Sequence, residues 1–207
     1  MAFPPQVCYN NLKRFPLRER EDVRPMKWMI ASDIHGSALY CEKMLQAFVR
    51  EGAQRLLLLG DLLYHGPRNP LPDGYDPKKV AEILSSLSPD VLSVRGNCDA
   101  EVDQMMLPFP VLADYALVCA CKRTLFATHG HLYNADSLPP LAAGEILLNG
   151  HFHVPCHKPL PGGGIYVNCG SVSLPKEDSP HSYILLQEGE MLWKDLETGG
   201  IFDGMEL

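Results

Sequence analysis

Five apolar runs along this chain each stop at Asp, Asn or His. They read WMIASDIHG from Trp28, LLLLGDLLYHG from Leu56, VLSVRGNCD from Val91, LFATHGH from Leu125 and ILLNGHFH from Ile146. Short apolar runs closed by glycine fit strands buried on both faces. The first strand is expected over about Lys27 to Ala31, the second over Leu56 to Leu59 and the third over Val91 to Val94. Between them the period changes to that of a helix. Ser37 offers an N-cap hydroxyl for a helix to about Glu51, with Leu45, Phe48, Val49 and Leu39 as its apolar stripe. Asp76-Pro77 marks a second helix start, followed by Val80, Ile83, Leu84 and Leu87 at helical spacing. A short helix is expected after Asp99, to about Met106. The first half therefore reads as alternating strands and helices, a doubly wound pattern.

The second half is strand-rich, with runs near 111–120, 124–128, 145–148, 164–168 and 182–195 and one short helix expected near Ala135 to Leu138. Pro161 to Gly164 and Glu188-Gly189 read as hairpin turns. A helix-rich half followed by a strand-rich half suggests two sheets packed face to face, with helices outside. The chain shows no internal repeat and no boundary inside residues 26–207, which are expected to form one domain. Residues 1–25 mix Pro with Arg and Glu, lack an apolar core for a secretory signal, and read as a mobile N-terminal extension.

Composition narrows the class. A 46% hydrophobic content over 207 residues suits one domain with a sizeable core. The net charge of -7, with no basic run, argues against stable nucleic-acid binding. No stretch approaches the length of a bilayer span. Seven irregularly spaced cysteines do not form a disulfide framework; reduced thiols point to the cytoplasm, with Cys41, Cys119 and Cys121 as small core residues.

The polar residues at the run ends are metal-ligand types. In an open α/β sheet, ligands bind beyond the carboxyl ends of the strands. Asp33 and His35, two apart, are expected to point the same way from an extended segment, as are His151 and His153. Asp61 follows Gly60, where a missing side chain permits close approach, and is expected to give one oxygen to each of two metals. Carboxylate, amide and imidazole donors suit first-row divalent cations. The set divides into one group of Asp33, His35, Asp61 and His153 and another of Asp61, Asn97, His129 and His151. Two metals about 4 Å apart can clamp an in-line phosphoryl displacement.

Asp-x-His, Gly-Asp, Gly-Asn-x-Asp, a following His and Gly-His-x-His together resemble the motifs of the calcineurin-like metallophosphoesterases. GDLLYHGPRNPLPDGYDPKKV, RGNCDAEVDQMM, THGHLY and GSVSLPK are more closely similar to the YfcE-type bacterial phosphodiesterases. The resemblance covers about Met26 to Glu190. It implies a four-layer α/β/β/α sandwich of two mixed sheets and a dinuclear site with the ligand division above. The site is commonly supported by Mn²⁺, with Zn²⁺, Fe²⁺ and Ni²⁺ as other candidates. It implies hydrolysis of a small phosphodiester by a hydroxide bridging the metals. A homo-oligomer is a further partner expectation for the chain, separate from the resemblance. A phosphomonoesterase or protein phosphatase, and a non-catalytic scaffold of the same fold, are the competing readings.

The wider superfamily usually has Gly-Asn-His-Asp, whose His assists leaving-group departure; here Cys98 takes that place, as in the YfcE-type branch. A thiol is a weaker acid and a poorer donor than an imidazolium. His131 and His65 are the alternative proton donors. Arg68, and less directly Arg95, are candidates to hold phosphate. Asp99 can orient its neighbours or cap the helix that follows, and Ser171 reads as a turn hydroxyl.

Overall fold

The structure, a computed structural model, describes residues 26–207; the expectation for residues 1–25 lies outside the described residues. Strand β1 (Trp28–Ala31), helix α1 (Ala38–Glu51), strand β2 (Arg55–Leu58), helix α2 (Pro77–Ser86), strand β3 (Val91–Ser93) and helix α3 (Glu101–Met106) follow the expected alternation. Ser37 caps α1 by accepting from the Tyr40 N–H, and Asp76 caps α2 by accepting from the Lys79 N–H. Strands β4 (Ala116–Ala120), β5 (Arg123–Ala127), β6 (Ile146–Asn149), β7 (Cys156–Pro159), β8 (Ile165–Asn168), β9 (Ser182–Gln187), β10 (Glu190–Asp195) and β11 (Ile201–Glu206) complete the chain.

The strands form two mixed sheets, ordered β11-β10-β9-β1-β2-β3 and β4-β5-β6-β8-β7. In the first, β1, β2 and β3 run parallel. In the second, β5, β6 and β8 do. Side chains alternate between faces along each strand. Ile30, Leu57, Leu125, Ile146, Leu148, Val167 and Ile184 form the core between the sheets. Met29, Ala31, Leu56, Leu58 and Leu185 point the other way, onto α1 and α2. On the far face of the second sheet, Phe126, Leu147 and Tyr166 are covered by Tyr133, Ala135 and Leu141.

That covering segment holds no helix, contrary to the helix expected near residues 135–138. The Asn134 side chain accepts from the Asp136 and Ser137 N–H groups, which closes a local turn instead. The apolar stripe of α1 also differs. Its buried residues are Tyr40, Cys41, Met44, Ala47 and Phe48, while Leu39 and Val49 face solvent. Cys119 is exposed, because β4 is an edge strand whose outward positions meet water. Both expected hairpin turns are present, joining β7 to β8 and β9 to β10.

Candidate metal centre

The carboxyl ends of β1, β2, β3, β5 and β6 meet at one edge of the sandwich. Beyond them lie Asp33 and His35, Asp61, Asn97, His129, and His151 and His153, in that order. All seven expected ligands come together. Asp33 Oδ1 lies 3.2 Å from His153 Nε2 and 3.4 Å from His35 Nε2, and the two imidazole nitrogens are 3.4 Å apart. On the other side, His129 Nε2 is 3.4 Å from Asp61 Oδ2, 3.1 Å from Asn97 Oδ1 and 3.1 Å from His151 Nδ1. Asp61 Oδ2 is also 3.7 Å from His35 Nε2, so one oxygen faces both groups. The expected use of one oxygen per metal is not what the geometry shows, because Asp61 Oδ1 accepts from the Cys98 N–H at 2.8 Å.

The tautomers are set from outside the cluster. Nδ1 of His35, His129 and His153 donates to the carbonyls of Tyr64 (3.0 Å), Leu59 (2.7 Å) and Leu174 (2.6 Å). Each ring, once its Nε2 is free of a proton, therefore turns that lone pair inward, the arrangement that orients histidine on a metal. Asp33 Oδ1, fully buried, has no hydrogen-bond partner. Inward lone pairs converging on a partnerless carboxylate oxygen are a donor set that fits divalent cations.

Electrostatics point the same way. Burial would raise the Asp33 carboxyl, but His153 and His129 outweigh it and hold it well below its usual value. Burial opposes a charged His129, yet Asp33 and Asp61 push it up to about 9. Burial, then the His129 charge, holds His151 down to about 4.

Asp99 does not cap α3; Ala100 occupies the cap position, and its N–H donates to Asp103. The buried Asp99 carboxylate instead accepts from the N–H groups of Asp61 (2.8 Å), Leu62 (2.9 Å) and Gly96 (2.7 Å), tying two ligand loops together. These loops touch so closely that a Cβ on Gly96 would lie 2.1 Å from Asp61 Oδ1, and one on Gly60 2.3 Å from the Gly96 nitrogen. Ser171 does more than close a turn. Its hydroxyl, with that of Ser173, donates to the Asp33 carbonyl. Asn168, at the end of β8, donates to the Gly150 carbonyl at 2.6 Å and fixes the loop before His151. That residue was not anticipated, although IYVN ends in a polar group as ILLN does.

The remaining candidates separate. Cys98 sits at the edge of the cluster, its sulfur accepting from Asn97 Nδ2 at 3.2 Å; burial first, then Asp61, pushes its thiol far up. His131 packs beside His129 and His151, at ring separations of 5.4 and 6.3 Å, with a buried Nδ1 that has no partner. His65 lies edge-on between Tyr64 and Tyr75. Arg95 folds back to donate to the Asp99 carbonyl at 3.3 Å. Arg68 is exposed and makes no ion pair among the described residues.

Comparison with known proteins agrees with this geometry. The model of the calcineurin-like phosphoesterase superfamily domain matches residues 26–191. Phosphodiesterase YfcE of Escherichia coli K12 is 50% identical over 161 residues, 78% of this chain and 87% of that protein. The solved structure of Yfce, a phosphoesterase from E. coli, superposes with a TM-score of 0.84 at 45% identity, covering 87% of this chain and 99% of that one. Vps29 of Chaetomium thermophilum, 18% identical with a TM-score of 0.53 over 88% of this chain and 97% of its own, shares the fold.

Proposed function

Because this chain belongs to the calcineurin-like phosphoesterase superfamily, we propose that its cluster hydrolyses a small phosphodiester with the help of two divalent cations, Mn²⁺ first among them. Asp33, His35, Asp61 and His153 would hold one cation, and Asp61, Asn97, His129 and His151 the other. The observation that carries this reading is the set of three Nδ1-anchored imidazoles turned onto two buried carboxylates, His35 and His153 toward Asp33 Oδ1 and His129 toward Asp61 Oδ2. When bound, such cations supply Lewis-acid stabilisation of phosphoryl oxygens and acidify water. A non-catalytic scaffold has no use for donors so held.

The protein's own residues do the rest. Asp61 Oδ2 faces both groups and fixes their spacing. Asn97 and His151 stand at the more open side, where a phosphate oxygen can approach. His131 is held below the usual imidazole value by burial and then by His129, so it is neutral near pH 7 and able to take or pass a proton. The Cys98 thiol stays protonated; it is a weak acid for a departing alkoxide and no nucleophile. Arg68, exposed beside the site loop, would meet the anionic substrate from outside. His65 would act by holding the neighbouring tyrosines. We place the reaction in the cytoplasm and in residues 26–207, so a chain beginning at Met26 keeps most of its kcat/KM.

The weak acid at Cys98 favours diesters over monoesters, which carry more charge and demand more donors. The test strips the protein with chelator, restores it with Mn²⁺ and compares bis(4-nitrophenyl) phosphate with 4-nitrophenyl phosphate. We expect no turnover when stripped, recovery with Mn²⁺, higher kcat/KM on the diester, and a narrower gap in Cys98→His. Turnover by the stripped protein, or equal rates on the two substrates, would overturn the reading.

A further inference from the structure

A cavity of about 340 Å³ opens beside the metal centre. Leu63, Tyr64, Tyr75, Val102 and Met106 line it together with Cys98 and the exposed Lys78. We propose that this cavity receives an apolar aromatic ester substituent of the substrate, an aryl or nucleobase-bearing group, while the phosphate sits on the ligand cluster. The inference rests on the phosphodiesterase reading and narrows it to a substrate class.

Position is the first ground. The Cys98 sulfur is within 4.8 Å of ligand atoms of both His35 and Asp61, and the Cys98 N–H is bonded to Asp61. The cavity therefore begins where the donor set ends, one residue's width away. An ester group on a phosphate held by the cluster has only to turn past Cys98 to enter it.

Chemistry is the second. Tyr64, Val102 and Met106 are 42%, 61% and 47% exposed, apolar side chains left facing water around one opening. The lining carboxylate, Asp103, is buried and accepts the Ala100 N–H at 2.7 Å, which engages it with the start of α3. Lys78 is exposed and forms no ion pair among the described residues, leaving a cation at the rim for an anionic ligand. Apolar walls with a few placed polar groups are the usual make-up of a small-ligand site, and the volume falls in the usual range of about 300–1,000 Å³.

The walls are also fixed in place. The Tyr64 carbonyl accepts from His35 Nδ1 at 3.0 Å, which links this wall to a metal ligand. The His65 ring lies edge-on to Tyr64 at 4.8 Å and to Tyr75 at 5.3 Å, and Tyr75 pairs with Ser37 through a bridge. Two aromatic faces held at set positions favour a flat ring.

The test is direct binding of two phosphonates that cannot lose their substituent, 1-naphthylmethylphosphonate and methylphosphonate, to the Mn²⁺-loaded protein by calorimetry. We expect the naphthyl compound to bind about tenfold tighter or more, from burial of its rings. The Tyr64→Ala/Met106→Ala double variant should cut that ratio to about threefold or less. Val102→Asp, at an exposed position that does not threaten folding, should lower it too by setting a carboxylate at the mouth. Equal affinities in the wild type, no binding of either compound, or a ratio unchanged in both variants would overturn the proposal. Turnover of bis(4-nitrophenyl) phosphate is followed separately. In the wild type, no turnover with the phosphonate ratio present counts against the phosphodiesterase reading, and turnover with equal phosphonate affinities counts against the cavity.

Discussion

At Asp33, His35, Asp61, His151 and His153 the backbone is left-handed, with φ between 50° and 64°. Non-glycine residues avoid that region, at a cost of about 1–3 kcal/mol each when the surroundings enforce it. Five of the seven proposed ligands lie there, held by bonds between neighbouring loops, such as the Asp33 N–H to the Gly60 carbonyl at 3.1 Å and the His35 N–H to the Asp61 carbonyl at 2.9 Å. Residue type at the end of an apolar run was enough to name all seven. Their conformation was not legible, because an extended segment was assumed and the left-handed turns depend on the partner loop. The right side chains met for a different backbone reason. Asp61 gives the sharpest test. Asp61→Asn keeps an acceptor for the Cys98 N–H but removes the charge facing both groups. We expect kcat/KM on an aryl diester to fall about 10³-fold, while urea melts of the metal-free protein shift by less than about 1 kcal/mol. The lost attraction to His129 is partly offset by relief of the burial penalty and then of repulsion from Asp33. A parallel loss of stability and activity would make Asp61 a structural residue.

Elements with an internal signal were readable; those defined by a neighbour were not. The caps of α1 and α2 and the three parallel strands follow from local chemistry. β7 and β11 were not foreseen, because CHKP and IFDGME are edge strands with mostly water-facing side chains and no apolar run. The buried stripe of α1 departs from the apolar pattern because Tyr40, Cys41, Met44 and Ala47 are less hydrophobic than Leu39 and Val49, yet lie on the side facing the sheet. How α1 docks rests partly on Glu51, in its last turn. This carboxylate accepts from Tyr183 Oη of β9 at 2.8 Å and from Lys194 Nζ of β10 at 2.7 Å. Burial would raise its pKa, but Lys194 and Tyr183 outweigh that and lower it. A lowered carboxyl stabilises the fold above its unfolded pKa of about 4.3 and loses that contribution as pH falls through the folded value. Glu51→Gln should therefore cost about 1–2 kcal/mol at pH 7 and progressively less as pH falls below about 4, for example at about pH 3. Thermal melts of both proteins at the two pH values check this; a penalty that persists undiminished in acid would assign the effect to packing.

For the whole molecule, the change from a helix-rich to a strand-rich half pointed to two sheets face to face with helices outside, and the resemblance added the four-layer order of two mixed sheets. The structure makes that stacking the condition of the site. Asp33, His35, Asp61 and Asn97 extend from the first sheet, and His129, His151 and His153 from the second. The seam is closed by His129 Nδ1 on the Leu59 carbonyl and by the His151 N–H on Asp33 Oδ2 at 2.9 Å. A cation bound there clamps both sheets, so its binding free energy adds to that of folding. It must also displace protons. His129 stands at about 9 because Asp33 and Asp61 outweigh the burial that opposes its charge. In the cation-free protein this raised value stabilises the fold fully below the unfolded pKa of about 6.5, and the contribution is lost as pH rises through about 9. Cation and proton compete for the same Nε2, so Mn²⁺ affinity should rise with pH across this window. We expect the gain in Tm given by 1 mM Mn²⁺ (an order-of-magnitude working concentration) to be larger at about pH 8 than at about pH 6. Calorimetry in buffers of different ionisation enthalpy should register about one proton released per protein near pH 7.5. Binding with no proton release and no pH dependence would mean that His129 is already neutral, and that the carboxylates, not the imidazoles, set the charge of the seam.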